Sequence, residues 1–520
     1  MPGGGLLQLV FYGQQNVLLS GNPDMTYFYR VFKKYTHFSL ETVAKLMEGA
    51  GTDYPFEGTT QVRARVDRVG DLVSDMYFSF QVPAMYSKYR SDRNNNRQSE
   101  FQWVRYLGAA AIQSVYITVG PNKIQEFTGE YLMARAMIDY PKDQFEKWQA
   151  LVGDIPELTD PANGLYGNPV VGGGEYPTVY RDDKNSAVGQ NNTPSIPSYT
   201  VTVPLPFWFT EEGQALPLIG LQQYTVDVTV NLTPSQQLYT VLDPSGYRMR
   251  FNQRVVSSEN NIQRNIPNFA SYTDVSGQLR AFFTDINYTP KPLNTFQCSP
   301  TLHTTYVFLP EKERLLFATK PLSYICRQVT MVPFTEIISS QLLQLEIHNP
   351  VTRLILVPRR SDSILYRNQM ENLTNWWNYP IRPKVPPLTA DGSPFTTNAN
   401  ATGIFVPGGQ LDIIQALRVL CDGNEIQEMK PVPFYTRLTP YRYLSGGADR
   451  KIPVYSFELH SPSAQPSGSI NSSRIRRFQI DLQVYPLPPN TTYIYSMNVY
   501  VESLNFFVVE AGMGDIKYAL

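Results

Sequence analysis

Histidines, cysteines and closely spaced acids are the residues that hold metals and move protons, and this 520-residue chain uses few of them in any recognisable pattern. Its four histidines, His37, His303, His348 and His460, lie far apart. None can offer the neighbouring pair that a metal-binding strand or helix presents. Cys298, Cys326 and Cys421 are an odd, scattered set. They fit neither a disulfide framework nor a zinc site, and suit a reducing compartment such as the cytoplasm. A Gly-x-Ser-x-Gly nucleophile elbow is missing from the sequence, and Gly3-Gly4-Gly5 lacks the following Lys-Ser or Lys-Thr of a phosphate loop. No two carboxylates stand out as a sugar-hydrolysing pair, so the acids are expected in salt bridges. The reading is a chain with no catalytic residue, no cofactor and no metal site, and therefore not an enzyme.

Binding chemistry offers more candidates. Arg359-Arg360 and Arg474-Ile475-Arg476-Arg477 have the composition of polyanion contacts, but beside strands such runs more often form a solvated face or partner nearby acids. With 44 basic against 45 acidic residues there is no overall field to draw in a nucleic acid. Trp376-Trp377 beside Tyr379-Pro380 reads either as a sugar-stacking platform or as a packed anchor between domains or subunits. Asn-x-Ser/Thr sequences occur at Asn191, Asn231, Asn287, Asn372, Asn400, Asn471 and Asn490. Without a signal peptide they are expected to stay bare of secretory glycans.

These side chains need a scaffold, and composition points to its class. Forty-one Pro and 33 Gly interrupt the chain, while 34 Tyr and 27 Phe suit a pleated, half-buried surface. An all-β chain with long loops is expected. The apolar run Leu6-Leu7-Gln8-Leu9-Val10 has no basic residue ahead of it and ends at Gly13, too short for a bilayer span and wrong for an export signal. Length favours two domains. Several segments alternate apolar and polar residues as a half-buried strand must: Val62, Ala64, Val66; Met76, Phe78, Phe80, Val82; Val115, Ile117, Val119; Val226, Val228, Val230, Leu232; and Phe478, Ile480, Leu482, Val484.

The order of these landmarks occurs twice. Pro23-Asp24 and Pro310-Glu311 both look like helix starts, with Pro at the first helical position and an acid at the positive end of the dipole. Strands are expected to begin near Phe38 and Tyr324. Next, Asn-x-Ile-Gln-Glu appears at Asn122–Glu126 and again at Asn424–Glu428, each time after a turn. Then Val201-Thr202-Val203 leads to the strand at Val226, as Val454-Tyr455-Ser456 leads to the one at Phe478. The first copy is longer by about 50 residues between the second and third landmarks, which marks an insertion. The reading is an N-terminal arm (1–25), a first domain (26–309) with long insertions at about 129–198 and 233–303, and a second domain (310–520). Each domain holds about eight strands, which suits a two-sheet jelly roll.

The stretch Gly21-Asn22-Pro23-Asp24-Met25-Thr26-Tyr27-Phe28, running into Lys33-Lys34-Tyr35-Thr36-His37-Phe38, resembles the N-terminus of the major capsid proteins of nucleocytoplasmic large DNA viruses. Arg65-Val66-Asp67-Arg68-Val69-Gly70-Asp71-Leu72, Pro204-Leu205-Pro206-Phe207-Trp208-Phe209, His348-Asn349-Pro350-Val351 and Gln465-Pro466-Ser467-Gly468-Ser469 resemble further segments of the family, in its order. The turn after Pro440-Tyr441, Leu444-Ser445-Gly446-Gly447, departs from the family's aromatic or His-rich sequence. The resemblance implies a double jelly roll, two tandem eight-stranded sandwiches with short helices and long loops, assembling as a homotrimer whose near-hexagonal capsomers tile an icosahedral shell. It also implies neighbouring capsomers, penton proteins and minor capsid proteins as partners, and an N-terminal arm near the inner capsid layer or internal membrane. No direct nucleic-acid contact is implied. The virion is the expected location, with synthesis and assembly in the host cytoplasm. Two rival expectations are a membrane-shaping viral scaffold of the same fold and a glycan-binding tandem β-sandwich.

Overall fold

Alternating sequence becomes strands in the computed structural model, which describes residues 17–30, 32–49, 53–87, 89–92, 95–98, 100–164, 176–177, 194–242, 278–283, 293–364, 373, 399–400, 403–404, 412–446, 451–461, 465–487 and 494–518. The chain forms two compact units, Met1–Ser39 and Leu40–Leu520. In the N-terminal unit Val17–Ser20 makes one helical turn, closed by Gly21 N donating to Val17 O at 2.9 Å. The helix expected from Pro23 does not form. Asn22 takes a left-handed conformation (φ 52°), and Met25, Tyr27, Phe28, Tyr29, Phe32 and Tyr35 are all exposed. A short helix without an apolar face to bury lacks the packing that normally stabilises it.

The first half of the large unit contributes β1 (Ser39–Leu46), β2 (Thr60–Arg65), β3 (Leu72–Val82), β4 (Ile112–Val119), β5 (Asn122–Phe127), β6 (Tyr199–Pro204), β7 (Val226–Leu232) and β8 (Thr301–Phe308). The second half contributes β9 (Leu322–Ile337), β10 (Gln341–Leu345), β11 (Pro350–Arg360), β12 (Ile414–Cys421), β13 (Asn424–Pro431), β14 (Val454–Ser456), β15 (Phe478–Val484) and β16 (Tyr495–Glu510). Two sheets of the first half run β1-β8-β3-β6 and β2-β7-β4-β5. Those of the second run β9-β16-β11-β14 and β10-β15-β12-β13. Adding eight to each label of the first pair produces the second, so the duplication seen in sequence is a duplication of topology.

Register places the alternating residues as expected. Val228 and Val230 of β7 face Ala64 and Val62 of β2, and Ile480 and Leu482 of β15 face Val419 and Leu417 of β12. All eight are buried. Both Asn-x-Ile-Gln-Glu copies are the return strands of hairpins; the second turns through Asp422 and Gly423 at φ 50° and 84°. The outer face of β7 differs from expectation. Asp227 and Thr229 are buried as well, because Arg63 and Arg65 of β2 reach over Asp227 with contacts of 2.8 and 3.5 Å.

The stretch read as the first long insertion is helical in its first part, with α1 (Gly129–Asp139), α2 (Lys142–Leu151) and a turn at Pro156–Thr159. Thr128 caps α1, its hydroxyl accepting from Tyr131 N at 3.2 Å. Gly129 is required there: a Cβ would lie 1.8 Å from Ala109 O. The helix expected at Pro310 forms as α3 (Glu311–Thr319), with Glu311 and Glu313 in its first turn; Pro310 sits at the cap, one position earlier than expected. Residues 243–277 of the second insertion lie outside the described residues.

Two apolar cores result. One fills the second half between its sheets, with Leu354, Leu356, Met497, Val499 and Val501 among its members. The other fills the first half and continues onto residues of the second, including Cys326, Ile355, Val357, Tyr500, Phe507 and Val509. The unbroken apolar run Leu354-Ile355-Leu356-Val357 is thus explained. Leu354 and Leu356 point into the second half's own core, Ile355 and Val357 toward the first half, and a strand buried on both faces does not alternate.

Candidate functional site

Burying both faces of the β9-β16-β11-β14 sheet creates an electrostatic problem at the residues that are not apolar. On β16, Asn498, Tyr500 and Glu502 occupy one face by strand alternation while Met497, Val499 and Val501 fill the core opposite. Arg353 and Arg359 of β11 share the polar face, and Arg353 stands directly across from Glu502 in the ladder. Charges placed there need partners or a route to water, since an isolated buried charge costs several kcal/mol.

The partners come from α1. Tyr131, Arg135 and Asp139 recur every fourth residue and so line one side of the helix. Arg353 donates to both Asp139 oxygens, at 2.6 and 2.8 Å, in a two-pronged pair, and to Glu502 Oε1 at 2.7 Å. Tyr131 Oη donates to the same Glu502 oxygen at 2.7 Å. Arg135 approaches Asp139 at 3.6 Å and Glu211 at 3.9 Å. From β9, Arg327 reaches Glu458 at 3.3 Å and Glu502 at 4.0 Å. At the other end of α1, Glu130 accepts from Tyr500 Oη and Asn498 Nδ2, each at 2.5 Å, and pairs with Arg359. Arg353, Glu502 and Glu458 are each 1 % exposed.

Protonation follows from this wiring. Burial alone would raise the Glu502 carboxyl, but Arg353, with Arg327 and Arg135 behind it, holds it down at about 2. Burial opposes the charge on Arg353, and Asp139 and Glu502 more than restore it. Glu211 lacks so close a partner, and burial pushes it up against the pull of Arg327 and Arg135. Tyr500 is raised to about 12 by burial. Glu502 and Arg353 therefore stay charged and Tyr500 stays neutral at neutral pH, which suits a structural joint.

Two further contacts complete the joint. The loop at Leu444, Ser445 and Gly446 meets the end of α1: Gly446 N donates to Ile138 O at 3.1 Å, and Ser445 Oγ bonds Asp139 O. A Cβ on Gly446 would stand 2.4 Å from Ile138 O. Trp208, 2 % exposed, packs its ring against Tyr324 and Phe507, with centroids 4.9 and 5.1 Å away.

The residues singled out from sequence are dispersed. Arg359 pairs with Glu130 in the joint, as the reading that partners it with an acid expects, and Arg360 is buried, not on a solvated face. Arg474, Arg476 and Arg477 are exposed, the last two offering their backbone N–H to Asp422. Trp376, Trp377, Tyr379 and Pro380 lie outside the described residues, as do Asn191, Asn287, Asn372 and Asn490. Asn400 falls on the short strand Ala399–Asn400. Asn231 donates to Ser114 Oγ at 2.8 Å, and Asn471 folds its side chain onto Ser473 N at 3.1 Å. His303 stacks on Tyr77, while His37, His348 and His460 are exposed. Cys298, Cys326 and Cys421 are free thiols, all raised by burial, Cys298 to about 12 and Cys421 to about 11. Among the described residues no group of three or more His, Cys, Asp or Glu side chains could hold a metal, and no helix is long and apolar enough to cross a membrane.

Sequence reasoning missed the joint. Its signal was available in α1, where Thr128 precedes a run of strong helix formers and Tyr131, Arg135 and Asp139 keep helical spacing.

Comparison with known proteins agrees with this architecture along the whole chain. Residues 26–276 match the family model for the major capsid protein N-terminus, and residues 313–515 match that for the large eukaryotic DNA virus major capsid protein. Probable capsid protein 4 of Acanthamoeba polyphaga mimivirus is 23% identical, with 99% of each chain aligned. The major capsid protein of Paramecium bursaria Chlorella virus 1 is 22% identical, again over 99% of both. In three dimensions the chain is similar to PBCV-1 VP54, with a TM-score of 0.63 at 18% identity, covering 95% of this chain and 100% of that one. Two adjoining family matches, full-length relatives and a shared fold lead to one conclusion: the chain belongs to the major capsid proteins of the nucleocytoplasmic large DNA viruses.

Proposed function

We propose that this protein is the principal building block of an icosahedral DNA virus shell, and that it works as a homotrimer. Its two halves are two eight-stranded jelly rolls divided near Leu309, and the observation that carries this reading is the identical strand order of the two sheet pairs. Two similar wedges, tripled about a threefold axis, approximate sixfold symmetry and pack edge to edge. Such a tile must not flex between its wedges. The buried joint of α1 with β9, β11 and β16 supports that rigidity.

Lattice contacts between tiles need not be strong, because many weak contacts made together give a durable shell. Neighbouring capsomers, penton and minor capsid proteins are the partners of this reading, with the N-terminal arm toward the inner layer or internal membrane. Assembly takes place in the host cytoplasm. The role is mechanical, with no catalytic residue, cofactor or metal. The test is fractionation of purified mature particles with sizing of the recombinant chain. The reading expects the chain as a major virion component and a stable trimer in solution. A chain absent from mature particles would instead be a transient scaffold, and a sugar-dependent monomer would be a lectin.

A further inference from the structure

A cleft of about 620 Å³ opens beside the joint, where the edge of β5 and the edge of β9 diverge. Its volume lies in the range of ligand sites. At its closed end the two edges are stitched by side chains: Gln125 Nε2 donates to Arg327 O at 2.6 Å, and Gln328 Nε2 donates to Ile124 O at 3.3 Å. Backbone pairing between the strands does not occur there.

The first of these bonds fixes the orientation of β9. Arg327 O points away from β16, and in an antiparallel strand every second residue points the same way. The N–H and C=O groups of Val329 and Met331 therefore face the cleft, while Thr330 faces its partner Val501 on β16. Among the described residues no backbone group pairs with Val329 or Met331 on the cleft side. The next outward position is Pro333, which has no N–H to present and ends the usable edge. Val329 is half-buried and Met331 is exposed. The cleft has no net charge of its own to satisfy, since Lys123 and Glu126 bond each other across its rim at 2.5 Å.

We propose that this cleft takes up an extended, uncharged peptide strand from another polypeptide chain, which pairs with the β9 edge at Val329 and Met331. Main-chain donors and acceptors repeating every second residue are matched by another strand and by few other ligands. The proposal does not depend on the capsid reading, because the edge and the cleft belong to the single chain.

The test is amide hydrogen exchange on the full purified chain, with and without a hexapeptide of alternating valine and threonine, acetylated and amidated to remove its charges. With peptide about tenfold above its Kd, exchange at Val329 and Met331 is expected to slow roughly tenfold. Thr330, already bonded to β16, is expected to be slow throughout. Met331→Pro removes only an outward N–H, so it is expected to keep the melting temperature and lose the peptide's effect at Val329. Should that variant not fold, Met331→Lys, an edge charge of the kind sheets use against pairing, is expected to weaken the effect in the same way. The proposal is overturned if the peptide slows neither amide, if both variants respond as the parent does, or if a proline-containing peptide acts equally well.

Discussion

Arg353 on β11 and Asp139 at the end of α1 are 214 residues apart in sequence and meet through two parallel hydrogen bonds of 2.6 and 2.8 Å. Neither touches water to any extent, at 1 and 3 % exposure. The two halves of the chain thus share one buried charge pair. Removing either partner leaves the other's buried charge only partly compensated, by Glu502 for Arg353 and by Arg135 for Asp139, so Asp139→Asn or Arg353→Met is expected to cost on the order of 3 kcal/mol. Denaturant unfolding measures it. The double variant is expected to recover part of the loss, giving a large coupling in a double-mutant cycle.

Acid weakens the joint through Glu502. Its folded pKa of about 2 lies below the ordinary 4.5, so its contribution is complete above pH 4.5 and disappears as pH falls toward 2. The loss over that window is on the order of 3 kcal/mol. Glu211, raised by burial, contributes with the opposite sign but at higher pH, above 4.5, where acidification relieves its burial before the Glu502 loss begins. Stability measured against pH is expected to fall less steeply in Glu502→Gln than in the parent over this window.

Much of this was legible beforehand, and the reason is periodicity. A strand with one wet face writes its alternation into the sequence, as Phe478 to Val484 does, and a duplicated strand order appears as duplicated landmarks. The joint was not legible. Arg353 looks like any charge beside a strand until the far side of that strand proves to be covered, and its partners come from the opposite half of the chain. The helices from Gly129 on were hidden by a comparison of spacings, which registers extra length but not its conformation. Pro23 and Pro310 read alike in sequence and differ in the fold, since only the second begins a helix.

The loop at Ser445 and Gly446 is tied to the same joint. Gly446→Ala would drive a methyl group against Ile138 O, and overpacking of this kind costs about 1–3 kcal/mol. Thermal unfolding of the variant checks it. Ser445→Ala, which removes a hydrogen bond without a clash, is expected to cost about 1 kcal/mol.

Aromatic packing is the apolar counterpart of the ion pairs. Trp208→Ala is expected to destabilise the chain by about 3–5 kcal/mol. A cycle with Phe507→Ala is expected to return a coupling of about 0.5–1.5 kcal/mol for the ring pair. Coupling near zero would mean that the two rings stabilise the fold independently.

The central claim is that one chain holds two like sandwiches, fixed together, whose triplication makes a shell tile. Electron microscopy of the purified protein tests it most directly. Class averages are expected to show a threefold particle with a near-hexagonal outline built from six similar lobes. A monomeric particle, or a threefold one whose two lobes per chain differ in shape, would contradict it.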